Sequence, residues 1–306
     1  MSGASSYRVF DIKLKIKENI SPSLLRCIFE GPEVNRMKLE APDQRIKLLF
    51  PAADGQLPQL PASDDWYGQY MAIPKQQRPL MRTYTLRALR TEHNEMDVEF
   101  VLHGDDGPAS AWATHAKPGD AIQVVAPNAA YQPDSGGYEW AAPTQMRQAL
   151  LIADETALPA AVAILEQLAL QANPPPVQVF FEVPVAGDCI NLARFPFAQI
   201  HWLPRDTEHQ PAHGHLLVDA VRQWVQIPVA ARVAAQSLAE NSLGGDVLWE
   251  RAEGASTFYA WVAAESSTVK ALRRYLIGES NLDRSCVNFM AYWCHTPLTE
   301  RLKSQR

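Results

Sequence analysis

The sequence predicts a two-domain β + α/β protein: an N-terminal antiparallel six-stranded β-barrel, then a domain built on a mostly parallel sheet. Three observations carry this. Residues 1 to about 145 read as short strands separated by turns, the pattern of an antiparallel barrel or sandwich. From about residue 148 the strands become continuously apolar and alternate with helical periodicity, which marks a parallel sheet with helices on both faces. Between the two lies "PDSGGYEWAAPTQMR", residues 133–147, rich in turn-forming residues. The expected domains are 1–140 and 148–306, the second with a C-terminal tail.

Taken in order, the first half offers "YRVFDIKLKI", which alternates, then "LLRCIFEG", "RIKLLFP", "RTYTLRAL", "DVEFVLHG" and "AIQVVAP". Gly, Pro, Asp and Asn punctuate these runs. Residues 51–80, "PAADGQLPQLPASDDWYGQYMAIPKQQRPL", interrupt them with five prolines. Prolines at that density exclude a central strand or an uninterrupted helix. A connection of this length in a compact domain is functional or disordered.

In the second half, "QALLIAD" is a buried strand, and "LPAAVAILEQLAL" repeats Leu158, Val162, Leu165 and Ala169 at helical spacing. "VQVFFEV", "QIHWL", "TFYAWVAA" and "VNFMAYW" are further strands. "STVKALRRYLI" is a helix with Val269, Leu272 and Leu276 on one face. Residues 205–256 are the least legible and suggest helices around a polar loop at "AENSLGGDVLWERAEG". No internal repeat is present.

Composition bounds the function. The chain has 306 residues, 47% hydrophobic and 20% charged, and a formal net charge of −6. That balance argues against a nucleic-acid binder. No apolar run reaches the length of a membrane span, and "MSGASSYRVFDIKLK" lacks the order of a secretory signal. The cysteines, Cys27, Cys189, Cys286 and Cys294, include no C-x-x-C pair, so a zinc ribbon or cysteine-ligated cluster has no support. A cytoplasmic location with reduced thiols is expected.

Three motifs point to chemistry. "RTYTLR" puts Arg82, Tyr84 and Leu86 on one face of a strand and Thr83, Thr85 and Arg87 on the other. Each face thus carries a charge. A guanidinium grips two oxygens of a pyrophosphate at once. Tyr84 offers a flat apolar partner with a polar rim for a flavin ring, and Thr85 a hydroxyl or N–H. The bland alternative is a strand with surface arginines and a core tyrosine.

The second motif is "VLHGDDGPASAWA", Val101 to Ala113. Gly104 and Gly107 flank a turn, and Pro108 suits the first turn of a helix. Ala109 and Ser110 then offer N–H groups to a phosphate. His103 contacts a cofactor or satisfies the turn; both readings stand. The third is "LLIADETALPAAVAIL". A strand ends at Asp154, and Glu155 and Thr156 precede a helix, where nucleotides bind in open α/β sheets. No glycine fingerprint is present. An ordinary strand–helix corner with a capping threonine is the alternative.

A barrel followed by a nucleotide-type domain suggests the ferredoxin-reductase architecture. With "ADETALPA" and "WVAAESSTVKALRRYLI…YW" in the same order, the chain resembles the siderophore-interacting protein family, from about residue 7 to 293. The resemblance implies an FAD-binding barrel, a domain for NADPH or NADH, and electron transfer to Fe(III) held by a siderophore. It implies that Arg82, Tyr84 and Thr85 hold the flavin and its phosphates, with His103, Gly107, Ala109 and Ser110 completing the site. Asp154, Glu155 and Thr156 would line the nicotinamide crevice, with Ala264 and Glu265 at a later strand end and Tyr292 and Trp293 near the flavin. Arg205 is a candidate for the 2′-phosphate of NADPH, or a solvated loop arginine.

Many ferric chelates are anionic, so a basic pocket is expected. Lys47, inside an apolar strand, is the leading candidate; Lys75, Arg78, Arg273 and Arg274 are others. Two departures from the family stand out. Cys294 and His295 follow "YW" where a basic residue and a glycine are usual, and Ala264 replaces a usual glycine. Ferredoxin remains open as donor, and a monomer is expected. The rival readings are a general NAD(P)H flavin or ferredoxin reductase, and a non-catalytic flavin- or siderophore-binding protein. The siderophore itself is not legible, nor is the part played by residues 51–80.

Overall fold

The computed structural model describes residues 4–295, except 53, 58, 64, 106, 210 and 235–247. It divides into two compact units: Met1–Trp140 with Val162–Ile164, and Ala141–Ala161 with Leu165–Arg306.

The first unit contains β1 (Tyr7–Ser21), β2 (Leu24–Glu30), β3 (Arg45–Phe50), α1 (Trp66–Ala72), β4 (Leu80–Thr85), β5 (Ala88–Arg90), β6 (Glu95–Val101), α2 (Pro108–His115) and β7 (Ala121–Pro127). The strands form one antiparallel seven-stranded sheet in the order β4-β3-β7-β1-β2-β6-β5. The sequence reading expects six strands. The seventh arises because "RTYTLRAL" is not one strand. It breaks at Leu86–Arg87, where the chain leaves β3 and turns to β6: Leu86 N–H donates to Gln44 O at 2.8 Å and Arg87 N–H to Asp97 O at 2.9 Å. The sheet therefore curls back on itself, with Tyr84 of β4 against Phe100 of β6. Its interior is Phe10, Ile12, Leu14, Phe29, Ile46, Leu48, Phe100 and Val124 with their neighbours. Trp112 of α2 plugs one side, stacked 5.9 Å from Phe29 and tilted 5.6 Å from Phe50.

The second unit contains β8 (Gln148–Ala153), α3 (Leu158–Ala169), β9 (Val177–Val183), β10 (Ala198–Pro204), α4 (His215–Trp224), β11 (Trp249–Glu250), β12 (Phe258–Glu265), α5 (Ser266–Arg273) and β13 (Val287–Trp293). The sheet order is β10-β9-β8-β12-β13-β11. All neighbours are parallel except the short edge strand β11. β8, the first strand, lies between β9 and β12, so the chain reverses direction across the sheet there. That switch point opens a crevice beyond the strand ends. The expected strands are all present; β11 and α4 lie in the region the sequence left obscure, and most of its polar loop falls outside the described residues. Every residue of β9 and β12 is buried, as the unbroken apolar runs require.

Candidate active site

Across the β3–β4 ladder Ile46 faces Tyr84, Leu48 faces Arg82, Lys47 faces Thr83 and Arg45 faces Thr85. Opposed residues share a face. Arg82 and Tyr84 therefore stand with the interior residues Ile46 and Leu48, while Lys47, Thr83 and Thr85 stand on the outer face. Tyr84 packs 4.6 Å from Phe100, and burial raises its phenol pKa. Arg82 is exposed at the rim and donates to Met81 O at 2.8 Å. Among the described residues no carboxylate pairs with it. The second arginine of the motif has a structural partner: Arg87 lies 3.4 Å from Glu99, which also binds Arg26 at 2.6 Å. The charge on the outer face is thus an ion pair to β6.

Phe100 leads directly into the second motif. Gly104 sits at φ +76°, a left-handed conformation suited to glycine. A Cβ on Gly107 would lie 3.1 Å from His103 Cε1, so the missing side chain lets the imidazole lie over the helix entrance. Gly107 is the N-cap of α2 and Pro108 opens it. Ser110 differs from expectation in one respect. Its hydroxyl accepts from His103 N–H at 3.0 Å and donates to Gly104 O at 2.7 Å. The side chain braces the turn.

Lys47 is half-buried, reaches Thr83 Oγ1 at 3.4 Å, and meets no carboxylate among the described residues. Burial, then the nearby Arg45, lowers its pKa. Arg45 itself is neutralised by Glu139. Most other cations of this unit are paired, among them Arg8, Lys13, Lys15, Arg26, Lys38 and Arg90. Lys47, Lys75, Arg78 and Arg82 have no such partner among the described residues. Their unneutralised positive charge belongs to an otherwise acidic chain.

In the second unit the predicted crevice residues form one hydrogen-bonded cluster. The Asp154 carboxylate is fully buried. Its Oδ1 accepts from Thr156 N–H at 2.9 Å and Thr156 Oγ1 at 2.5 Å. Its Oδ2 accepts from Glu265 N–H at 2.8 Å and Trp293 Nε1 at 2.9 Å. Glu155 takes both terminal nitrogens of Arg205, at 2.6 and 3.0 Å, and lies 3.3 Å from His213 Nε2. Glu182, also fully buried, accepts from Arg205 at 3.0 Å and caps α4 through Gly214 N–H at 2.7 Å and Leu217 N–H at 2.9 Å. Gly214 is at φ +81°, where a Cβ would lie 1.9 Å from Thr268 Oγ1.

The electrostatics follow from these contacts. Burial, then the charge of Glu155, raises the Asp154 pKa. Burial alone would raise that of Glu155, but hydrogen bonds from His213 and Arg205 reverse the direction and hold it low. Burial would likewise depress His213, and Glu155 overrides it to raise the pKa. Asp154, Glu155 and His213 place donor atoms within 4.8 Å of one another; the carboxylate oxygens already accept from protein donors, while the buried His213 Nδ1 has no hydrogen-bond partner.

The same contacts revise several expectations. Arg205 is not a solvated loop residue: its guanidinium, expected as a candidate for a 2′-phosphate, binds the carboxylates of Glu155 and Glu182. The helix starts nearest the crevice are also closed. Asp154 O accepts from Ala157 and Leu158 N–H at the start of α3, Glu182 caps α4, and Glu265 caps α5 through Ser267 and Thr268 N–H. Ala264 is fully buried in the core, so its methyl does not narrow the crevice. Tyr292 alternates away from Trp293 and stacks 6.1 Å from Trp249. Arg273, expected as a substrate contact, is paired with Glu250 at 2.9 Å and ties β11 to α5. Arg274 is exposed.

Two residues of the cluster escape sequence reasoning. Glu182 had a signal, a lone carboxylate inside an apolar strand, which demands a partner. His213, in "PAHGH", had none.

Comparison with known proteins gives consistent matches. Residues 13–131 match the family model of the siderophore-interacting FAD-binding domain, and residues 146–296 that of the siderophore-interacting protein. The ferric vibriobactin reductase ViuB of Vibrio cholerae is 28% identical over 90% of this chain and 86% of its own length. The NADPH-dependent ferric-chelate reductase of Escherichia coli is 27% identical over 90% and 89%. Among solved structures, the siderophore-interacting protein SipS from Aeromonas hydrophila is 25% identical, covers 98% of this chain and 97% of its own, and superposes with TM-score 0.66. The ferredoxin reductase of carbazole 1,9a-dioxygenase, 12% identical over 94% of this chain and 70% of its own, shares the fold at TM-score 0.59.

Proposed function

The chain belongs to the siderophore-interacting protein family, and we infer that it is an FAD-dependent ferric-siderophore reductase drawing electrons from NADPH. It has the ferredoxin-reductase-like fold. The observation that carries the substrate side is that Lys47, Lys75, Arg78 and Arg82, all of the unit that holds the Tyr84 motif, have no carboxylate partner among the described residues, in a chain of net charge −6.

The residues of the first unit fit a flavin dinucleotide. Arg82 is a rim guanidinium with no carboxylate partner among the described residues, Tyr84 presents a half-buried ring, and Gly107 adds no side chain of its own to the α2 entrance, where the His103 imidazole lies. When bound, FAD supplies the conversion between a two-electron donor and one-electron acceptors. Arg82 and the α2 N–H groups would hold its phosphates, and Tyr84 and Thr85 its ring. Lys47 draws the anionic chelate toward that edge. The iron needs no protein ligand: hard oxygen donors hold Fe(III) tightly and Fe(II) weakly, so reduction releases the metal.

In this reading the domains are 1–140 for FAD and 148–306 for NADPH. The pyrophosphate of the nucleotide would rest on rim side chains, since the nearest helix starts are closed by carboxylates or carbonyls. Thr156 and Trp293 mark that rim. A monomeric protein in the cytoplasm, with ferredoxin as a second possible donor, belongs to the same reading. Among the described residues no helix is long and apolar enough to cross a membrane.

The deciding experiment is an anaerobic spectrum of the purified protein. Flavin absorbance should bleach with NADPH and return on adding a ferric siderophore. Flavin that bleaches but does not return would favour a general flavin reductase; protein that takes up no FAD would end the proposal.

A further inference from the structure

β10 is the edge strand of the second sheet, and a cleft of about 510 Å³ opens beside its first residues. That volume falls in the range of small-molecule sites, roughly 300–1,000 Å³. Gln199 and His201 of β10 face Gln178 and Phe180 of β9 across the ladder. Helix α4 runs back over this face. Glu182 caps it at Gly214, and it ends at Trp224, which Gln178 holds. Gln178 and Glu182 are four residues apart along β9, roughly 13 Å. The cleft therefore lies at the amino ends of the strands, at the opposite end of the sheet from the Asp154 crevice.

Its walls are fixed. The buried Gln178 donates from Nε2 to Trp224 O at 2.8 Å, and its Oε1 accepts from Gln226 N–H at 2.8 Å. Both bonds pin the chain as it leaves α4. The rings of Phe180, His201 and Trp224 form a pile, with centroids 4.7 and 5.6 Å apart and planes 11° and 20° from parallel. Phe180 is its buried end; Trp224, at the other end, is 45% exposed. Gln199, Gln223 and Gln226 also line the cleft. All three are exposed, and their side-chain amides make no hydrogen bond among the described residues. Apart from His201, no acidic or basic side chain lines the cleft among the described residues. Burial lowers the His201 pKa, which favours the neutral imidazole.

A pile of near-parallel rings ending in an exposed tryptophan suits one more flat ring. A glutamine amide sets a donor beside an acceptor and pairs with the N6 and N7 edge of adenine. The uncharged lining gives a phosphate no counter-ion. We propose that this cleft binds an uncharged purine nucleoside of the adenine type: the base stacks on Trp224, and the amides of Gln199, Gln223 and Gln226 read its edge. The site stands whether or not the chain reduces ferric chelates.

The test titrates adenosine by calorimetry into the full chain saturated with FAD and NADP⁺, so that adenine positions belonging to those cofactors are occupied. Adenosine should bind saturably, AMP no more tightly, and glucose not at all. Trp224→Ala should weaken adenosine at least about fivefold, as when a base loses its aromatic platform, and Trp224→Phe should restore most of the loss. A second variant, Gln223→Leu with Gln226→Leu, leaves the ring pile whole; it should also weaken adenosine about fivefold and melt like the wild type. A wild type without saturable adenosine binding overturns the proposal. So does binding that neither variant changes, which places adenosine in a cofactor position, and so does glucose binding with the same Trp224 dependence, which makes the cleft a sugar site.

Discussion

Trp293 and Asp154 are 139 residues apart in sequence and joined by a 2.9 Å hydrogen bond from the indole Nε1 to Oδ2. The bond ties the end of β13 to the end of β8, with β12 between them. Asp154 also holds Glu265 N–H of β12, so one carboxylate locks three strand ends at the switch point. Replacing Asp154 by Ala should lower unfolding stability by about 3 kcal/mol, from several buried donors left unsatisfied. Urea denaturation measures it; FAD content of the native protein should not fall. A loss under about 1 kcal/mol would show that these donors find other acceptors.

Arg205 is a lock between Glu155 and Glu182. In Arg205→Ala both carboxylates keep their burial and lose their cation, and such breaks cost about 3–5 kcal/mol. The ratio of NADPH to NADH use should stay within twofold. A large shift toward NADH, with stability retained, would return Arg205 to the role of phosphate receptor.

The Glu155–His213 pair makes stability depend on pH with a definite sign. His213 has a raised pKa, so its contribution is fully present below the ordinary value of 6.5 and is lost as pH rises through the folded value. Glu155 has a lowered pKa, so its contribution is present above 4.5 and is lost as pH falls. The stability difference between wild type and His213→Gln should therefore peak between those ordinary values and shrink above neutrality. Unfolding both proteins at pH 5.5, 7 and 8.5 checks it; a difference that grows with pH would contradict the pairing.

Lys47→Ala should raise KM for an anionic ferric chelate several-fold and leave reduction of a neutral quinone unchanged. The reason is that Lys47 meets no carboxylate among the described residues and so contributes its charge to the ligand. Steady-state kinetics with both acceptors decides, and the chelate effect should diminish with added salt. Parallel losses with the two acceptors would place the lysine in folding or flavin binding instead.

Arg82→Ala should weaken retention of FAD about tenfold, as expected for loss of a charge-assisted phosphate contact, and leave the thermal stability of the apoprotein within about 1 °C, since an exposed rim arginine contributes little to folding. Equilibrium dialysis and a melting curve separate the two. A melting drop without loss of FAD would make the arginine structural.

Much of this was legible in the residue order. Alternation in "YRVFDIKLKI" and unbroken apolarity in "VQVFFEV" report burial on one face or both, a property of each strand alone. "RTYT" and "GPAS" stood out as candidate sites for the same local reason: a short segment holds the residue types that a ring and a phosphate require. The break within "RTYTLRAL" was not, because nothing local says that its first half pairs with β3 and its second with β6.

By itself, then, the sequence determined the two-part architecture and the family, and offered a strand-borne motif as a candidate flavin site. Periodicity and short motifs are set by neighbours along the chain. Only the tertiary structure decided which charges are available. Arg87, Arg205 and Arg273 read like Arg82 and Lys47 until Glu99, Glu155, Glu182 and Glu250 are brought to them from distant strands and loops. An ion pair depends on distance in space, and that distance exists only once the sheets have formed.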